Sequence, residues 1–299
     1  MAKIPYTKPA ITYQQQLQKL KDRGLAIGDE DKALHLLENI SYYRLSGYWY
    51  PFLADKANHQ FKKGATLDAA FKLYCFDKEL RKLVISELEK IEVAIRSKMI
   101  YVLSLTHGTF WFGNPQLFVD PVKHANTLAK IGEEYNRSDE EFIKAFRGKY
   151  SDPLPPAWMM MEITSFGSLS VLYKNLKPGR DKRAIAKHFG ISDSVMETWL
   201  HSIVYLRNLC AHHSRLWNRV LSIRPQFPNN PGKIWLNSNS ASNKRSYFML
   251  SIIKYFLQTV NPNSSFKTKL KKLFTQYPNV DISAMGFPAN WEEEELWKL

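Results

Sequence analysis

The segment Arg207-Asn208-Leu209-Cys210-Ala211-His212 places a guanidinium, an amide and an imidazole inside a long apolar helical pattern. Core packing gives none of the three a reason to be there. A histidine titrates near neutrality and can take or give a proton. An arginine fork can hold a phosphate and offset the charge that builds on it in a transition state. Asn208 can orient the imidazole or donate to a phosphate oxygen. Together they suit cleavage of an RNA phosphodiester, with the RNA's own 2′-OH as nucleophile. That chemistry asks for no protein nucleophile, no metal and no other cofactor. Arg215 and Arg219 follow on the polar side of the pattern, so Arg207, Arg215 and Arg219 are the candidate phosphate contacts.

The element that must carry these residues reads as one helix over 193–219, with Ser194 and Glu197 as a capping box. At roughly 100° per residue, Trp199, Ile203, Leu206, Cys210 and Trp217 share one buried stripe, widened by Leu209 and Leu216. Asn208 and His212 are an i,i+4 pair in the polar gap. His213 falls on the apolar stripe and is expected to be buried and structural. A second R-x4-H string, Arg183 to His188, ends beside Phe189-Gly190, a helix stop, and has alanine after its arginine. It is set aside. The turn around Gly190 resembles a DNA-binding helix-turn-helix, but Val195, Met196, Trp199 and Leu200 stand where a recognition helix needs polar residues. Core packing explains that turn more simply. A non-catalytic, nucleic-acid-binding helical regulator is the alternative reading.

Elsewhere the pattern is helical, and the fold expected is all-α. Between Leu67 and about Leu105 there is no Gly or Pro, and Leu73, Phe76, Leu80, Val84, Leu88, Ile91, Ile95, Met99 and Val102 recur at helical spacing. This long helix is expected to pack against the 193–219 helix. Single helices are also predicted for Glu30 to Leu45, Pro121 to Lys149, Trp158 to Asn175 and Ser246 to about Val260, and a basic one for Phe266 to Tyr277. Gly24 should close an N-terminal helix, and Arg224 to Asn243 reads as a Pro/Asn/Ser-rich loop. An N-terminal helical unit (1–60), a helical core (61–225) and a C-terminal helical extension (226–299) follow. The cluster Tyr42, Tyr43, Tyr48, Trp49, Tyr50 and Phe52 can stack on RNA or pack on the body. The net charge of +14 favours polyanionic partners. Cys75 and Cys210 read as buried thiols in a reducing cytoplasm, no Cys/His cluster has zinc spacing, and no apolar run is long enough to span a membrane.

The R-N-x3-H string resembles the R-x4-6-H motif of HEPN ribonucleases, and RNLCAHHSRLWNR resembles the Abi family of bacterial abortive-infection proteins, the AbiD/AbiF-like group. SYYRLSGYWYPF (Ser41 to Phe52), FDKELRKLVISELEKIEVAIR (Phe76 to Arg96), PPAWMMMEITSFGSLSVLY (Pro155 to Tyr173) and MGFPANW (Met285 to Trp291) are similar to that family's blocks, in order. The resemblance implies a HEPN-type helical bundle, a ribonuclease acting in phage defence, and restraint by a small noncoding antitoxin RNA. It implies a homodimer, since two facing motifs supply the two histidines that acid–base cleavage uses. It also implies catalytic roles for Arg207, Asn208 and His212, with Glu89, Glu92, Arg96 and Arg215 in support, Glu89, Glu92 and Arg96 orienting Arg207 or His212.

Overall fold

The computed structural model describes residues 5–237 and 241–299. Among them are thirteen α-helices and one two-stranded antiparallel sheet, an all-α fold. The stretch 238–240 of the expected loop lies outside the described residues.

The chain divides into two compact units. The smaller holds residues up to Glu79 together with Leu273–Val280. In it, α1 (Tyr13–Asp22) opens on a capping box between Thr12 and Gln15. It closes as expected at Gly24, whose φ of 86° lets the Leu25 amide turn back onto the Leu20 carbonyl. The helix expected from Glu30 to Leu45 is two: α2 (Glu30–Ile40) and α3 (Tyr42–Trp49). Ser41, at φ 81°, ends the first and caps the second by accepting from the Arg44 amide. A short pair, β1 (Leu53–Asp55) and β2 (Gln60–Phe61), follows. Leu17, Leu20, Leu36, Leu45, Trp49 and Leu67 pack the centre. The segment 273–280 joins this unit because the rings of Phe274 and Tyr277 both pack against Phe76, the first tilted and the second edge-on. Of the aromatic cluster, Tyr48 and Trp49 are buried while Tyr43 is 89% exposed. Packing takes the first two and leaves Tyr43 to solvent.

The larger unit runs from Leu80 to Lys272 and from Asp281 to Leu299. The long helix α4 (Leu67–His107) enters it with the predicted stripe intact: Leu80, Val84, Leu88, Ile91, Ile95 and Met99 are all buried, and Leu103 rather than Val102 continues the line. Pro121 to Lys149 is not one helix but α5 (Pro121–Arg137) and α6 (Glu141–Lys149), and Trp158 to Asn175 splits into α7 (Ala157–Ile163) and α8 (Phe166–Asn175). Hydroxyl chemistry explains the second break. Thr164 turns its side chain back onto the Met160 carbonyl, and Ser165 caps α8 by accepting from the Ser168 amide. Next come α9 (Arg180–His188), α10 (Asp193–Ala211), α11 (Ser246–Val260), α12 (Phe266–Gln276) and α13 (Glu295–Lys298). Ser192, not Ser194, caps α10, accepting from the Val195 amide. The elements whose backbones approach α10 most closely are α8, α9 and α11. Cys210 is buried and Cys75 only half-buried, and neither is in a disulfide.

Candidate active site

Helix α10 presents two faces. Trp199, Ile203, Leu206 and Cys210 are buried as the periodicity requires, and Leu216 and Trp217 beyond the helix are buried too. Arg207, Asn208 and His212 are exposed on the other side. The helix does not continue to Arg219. It stops at Ala211, with His212 at the C-cap and His213 in the left-handed region at φ 55°. The His213 amide donates to the Cys210 carbonyl (3.1 Å) and the Ser214 amide to the Leu209 carbonyl (2.8 Å). These two bonds are the paired closures of a Schellman turn, a position glycine usually fills. His213 is therefore exposed at a turn, not buried in the core, because the chain leaves the helical path before the stripe can claim it.

After the turn the chain doubles back along α10. The Trp199 Nε1 donates to the Gln226 carbonyl (2.8 Å), and the Gln226 amide donates to Thr198 Oγ1 (3.1 Å). The returning segment is fixed from outside by Ser246 Oγ on the Leu216 carbonyl and by the Trp217 indole on the Asp281 carbonyl. Residue 219 thereby comes beside residue 205. Burial pushes the Tyr205 phenol up, but the Ser222 side chain and amide and the Arg219 guanidinium outweigh it, so it lies below its ordinary value. Arg219 also donates to the Arg215 carbonyl (3.4 Å), and both arginines are half-buried. Arg219 reaches Tyr205 because the chain returns, not through helical spacing.

Within the motif, Arg207 Nη1 donates to Asn208 Oδ1 at 3.4 Å, while the Asn208 carbonyl accepts the His212 amide at 2.9 Å. Asn208 thus steadies the guanidinium with its side chain and the C-cap with its backbone. The His212 imidazole makes no side-chain hydrogen bond among the described residues. The supporting residues expected on α4 are Glu89, Glu92 and Arg96. Arg96 is buried, its Nη2 on Glu92 Oε1 (2.8 Å) and its Nη1 on the Thr164 carbonyl (2.9 Å). Glu89 is exposed. No hydrogen bond or ion pair among the described residues joins these three to Arg207 or His212. Arg96 instead ties α4 to the corner between α7 and α8.

Sequence reasoning passed over two residues on the motif's own face. His201, Tyr205, Asn208 and His212 fall at i, i+4, i+7 and i+11, which share one side of a helix. His201 is exposed. The spacing is legible in the chain itself, on the side opposite the apolar stripe. The turn at Gly190 has the outline of a helix-turn-helix, yet Val195, Met196, Trp199 and Leu200 are buried. That face cannot reach base edges. Gly190 itself is required: at φ 76°, a Cβ there would lie 2.9 Å from the Tyr255 hydroxyl.

The described residues contain no cluster of His, Cys, Asp and Glu that could hold a metal ion. No helix among them is long and apolar enough to cross a membrane. A family model described as Abi-like protein matches residues 35–218, which take in the whole motif. No curated relative and no solved structure matches the chain.

Proposed function

This chain belongs to the Abi-like protein family, and on that premise we propose that it is a metal-independent HEPN-type endoribonuclease of a phage-defence or toxin–antitoxin system. Family membership supplies the link to abortive infection; the chemistry is read from the motif. One observation carries it: Arg207 and His212 stand exposed at the C-terminal end of a helix whose other face is buried. Residues kept for packing would not be presented this way.

In the reaction a base removes the proton of a ribose 2′-OH, the 2′ oxygen attacks phosphorus, and the bond to the 5′ oxygen breaks as an acid protonates it. The products are a 2′,3′-cyclic phosphate and a free 5′-OH. Arg207, held by Asn208, is placed to bind the scissile phosphate and offset its charge. His212 moves the proton. Base and acid call for two such groups, and a homodimer whose isologous contact sets two motifs face to face provides both. Restraint by a small noncoding RNA belongs to the same reading. The DNA-binding alternative loses its natural recognition surface to burial on α9–α10.

The test uses single-stranded RNA and its cyclic-phosphate product. Wild-type protein should cut it, and a single 2′-deoxy substitution at the cleaved nucleotide should stop cutting while leaving binding nearly as it was. His212→Ala should lower the rate by roughly 100- to 10,000-fold, the usual worth of a general acid or base. Its melting temperature should hardly move, since the side chain is exposed. A deoxy-substituted strand cut as fast as RNA would refute the mechanism.

A further inference from the structure

A groove of about 840 Å3 lies between α5, α8 and α10, and nothing in the proposed chemistry uses it. One wall is α5, where Lys123, Lys130 and Arg137 are spaced seven residues apart and all exposed. Seven residues return within about 20° of the same face, so the three charges form a line at intervals of roughly 10 Å. The opposite side is the start of α8, with Ser168, Ser170 and Val171; His201 and Val204 of α10 complete it.

Three carboxylates also line the groove, so the count of charges is balanced, but their placement is not. Asp120 accepts the Lys123 amide (2.9 Å) as the cap of α5, and Glu134 accepts the Ser165 amide (3.1 Å) at the start of α8. Each keeps its charge but is anchored to a backbone donor, Asp120 at the start of α5 and Glu134 at the start of α8, while Lys123, Lys130 and Arg137 stand exposed along α5. Val122, Val171 and Val204 give the groove apolar lining, and His201 adds the flat ring of an imidazole. A line of cations along an apolar trough that carries a stacking ring is what a single nucleic-acid strand requires. The volume is that of a small-ligand cleft, within about 300–1,000 Å3, which accommodates nucleotides. The position points the same way. His201 precedes Asn208 by two helical turns on the same face, so the groove begins roughly 10 Å along α10 from the motif.

We propose that this groove holds the single-stranded RNA flanking the scissile phosphate, with a base stacked on His201 and phosphates following Lys123, Lys130 and Arg137. Which phosphate is cut rests on the nuclease reading; the binding does not. The experiment measures affinity for a single-stranded RNA oligonucleotide over a range of salt, in full-length protein carrying His212→Ala so that the strand survives. Each phosphate neutralised on a single strand contributes about 0.7 to the salt slope, so Lys130→Gln with Arg137→Gln should flatten it by roughly 1.4. His201→Ala should weaken binding by roughly 5- to 150-fold, the loss of one base–aromatic stack. Thiouridine in the flanking strand should photocrosslink to α5 or α8. An unchanged slope with crosslinks elsewhere would overturn the proposal, as would duplex RNA bound as tightly through the same residues. Crosslinks in the groove from a wild-type protein that cuts no RNA would support the groove and refute the nuclease reading.

Discussion

Replacing Arg96 separates a structural role from a catalytic one. Its side chain is 8% exposed and that of its partner Glu92 is 17% exposed, so the pair at 2.8 Å is little screened by solvent. The other guanidinium nitrogen closes the α7–α8 corner through the Thr164 carbonyl at 2.9 Å. Arg96→Ala strands a carboxylate and a carbonyl together. Breaking a buried pair in this way costs about 3–5 kcal/mol. At roughly 2–4 °C per kcal/mol for a domain of this size class, the melting temperature should fall by about 6–20 °C. Arg96→Met keeps the aliphatic stem but should lose most of the same stability, and adding Glu92→Gln should restore part of it, because the stranded charge is gone. Calorimetry or thermal circular dichroism of wild type, Arg96→Met, Glu92→Gln and the double variant gives the coupling directly, with RNA cleavage of these and of Arg96→Ala measured at a temperature where all are folded. Cleavage should survive in the folded fraction. An Arg96→Ala protein that melts with the wild type yet cuts no RNA would refute this reasoning and restore the expected role beside the motif.

His213→Gly should raise stability by roughly 0.5–1 kcal/mol, since relief of a left-handed residue exceeds the added freedom of the unfolded chain; a lower melting temperature would mean that the His213 side chain outweighs its strained backbone. At alkaline pH, burial pushes the Tyr173, Tyr247 and Tyr255 phenols up, Tyr255 to about 12. Their folded values lie above the unfolded value near 10, so the stability they protect is complete below about pH 10 and is lost as pH rises further. Phenolate absorbance should then grow together with loss of helical circular dichroism, and early ionisation of all three in folded protein would contradict their burial. Chelating divalent metal should leave RNA cleavage intact, as a 2′-OH attack assisted by His212 and Arg207 needs none, and restoration by added metal after chelation would point to another mechanism.

Much of this protein was legible as a one-dimensional pattern. The stripe from Leu73 to Met99 announced α4 because a helix with no Gly or Pro and one apolar line has a single way to bury it. The buried face of α10 was set by the same periodicity, and the motif was visible because polar chemistry interrupted it. The breaks were not legible where no glycine or proline marks them. Ser41, Ser138 and Thr164, the C-caps of α2, α5 and α7, end these helices through side-chain and backbone bonds that a helical pattern does not forbid. The end of α10 is the sharpest instance. Leu216 and Trp217 are buried whether the helix continues or the chain returns, so their spacing could not distinguish the two. Only the packing of the returning segment against Thr198, Trp199 and Ser246 decides for the turn at His213, and that turn brings Arg219 to Tyr205. The division between the units is hidden for a related reason. It falls at Glu79 and Leu80, inside α4, while residues 273–280 join the N-terminal unit through rings that meet Phe76. Periodicity reports which face of an element is buried. Which distant segment buries it is settled by contacts between residues far apart in the chain, and no local pattern encodes them.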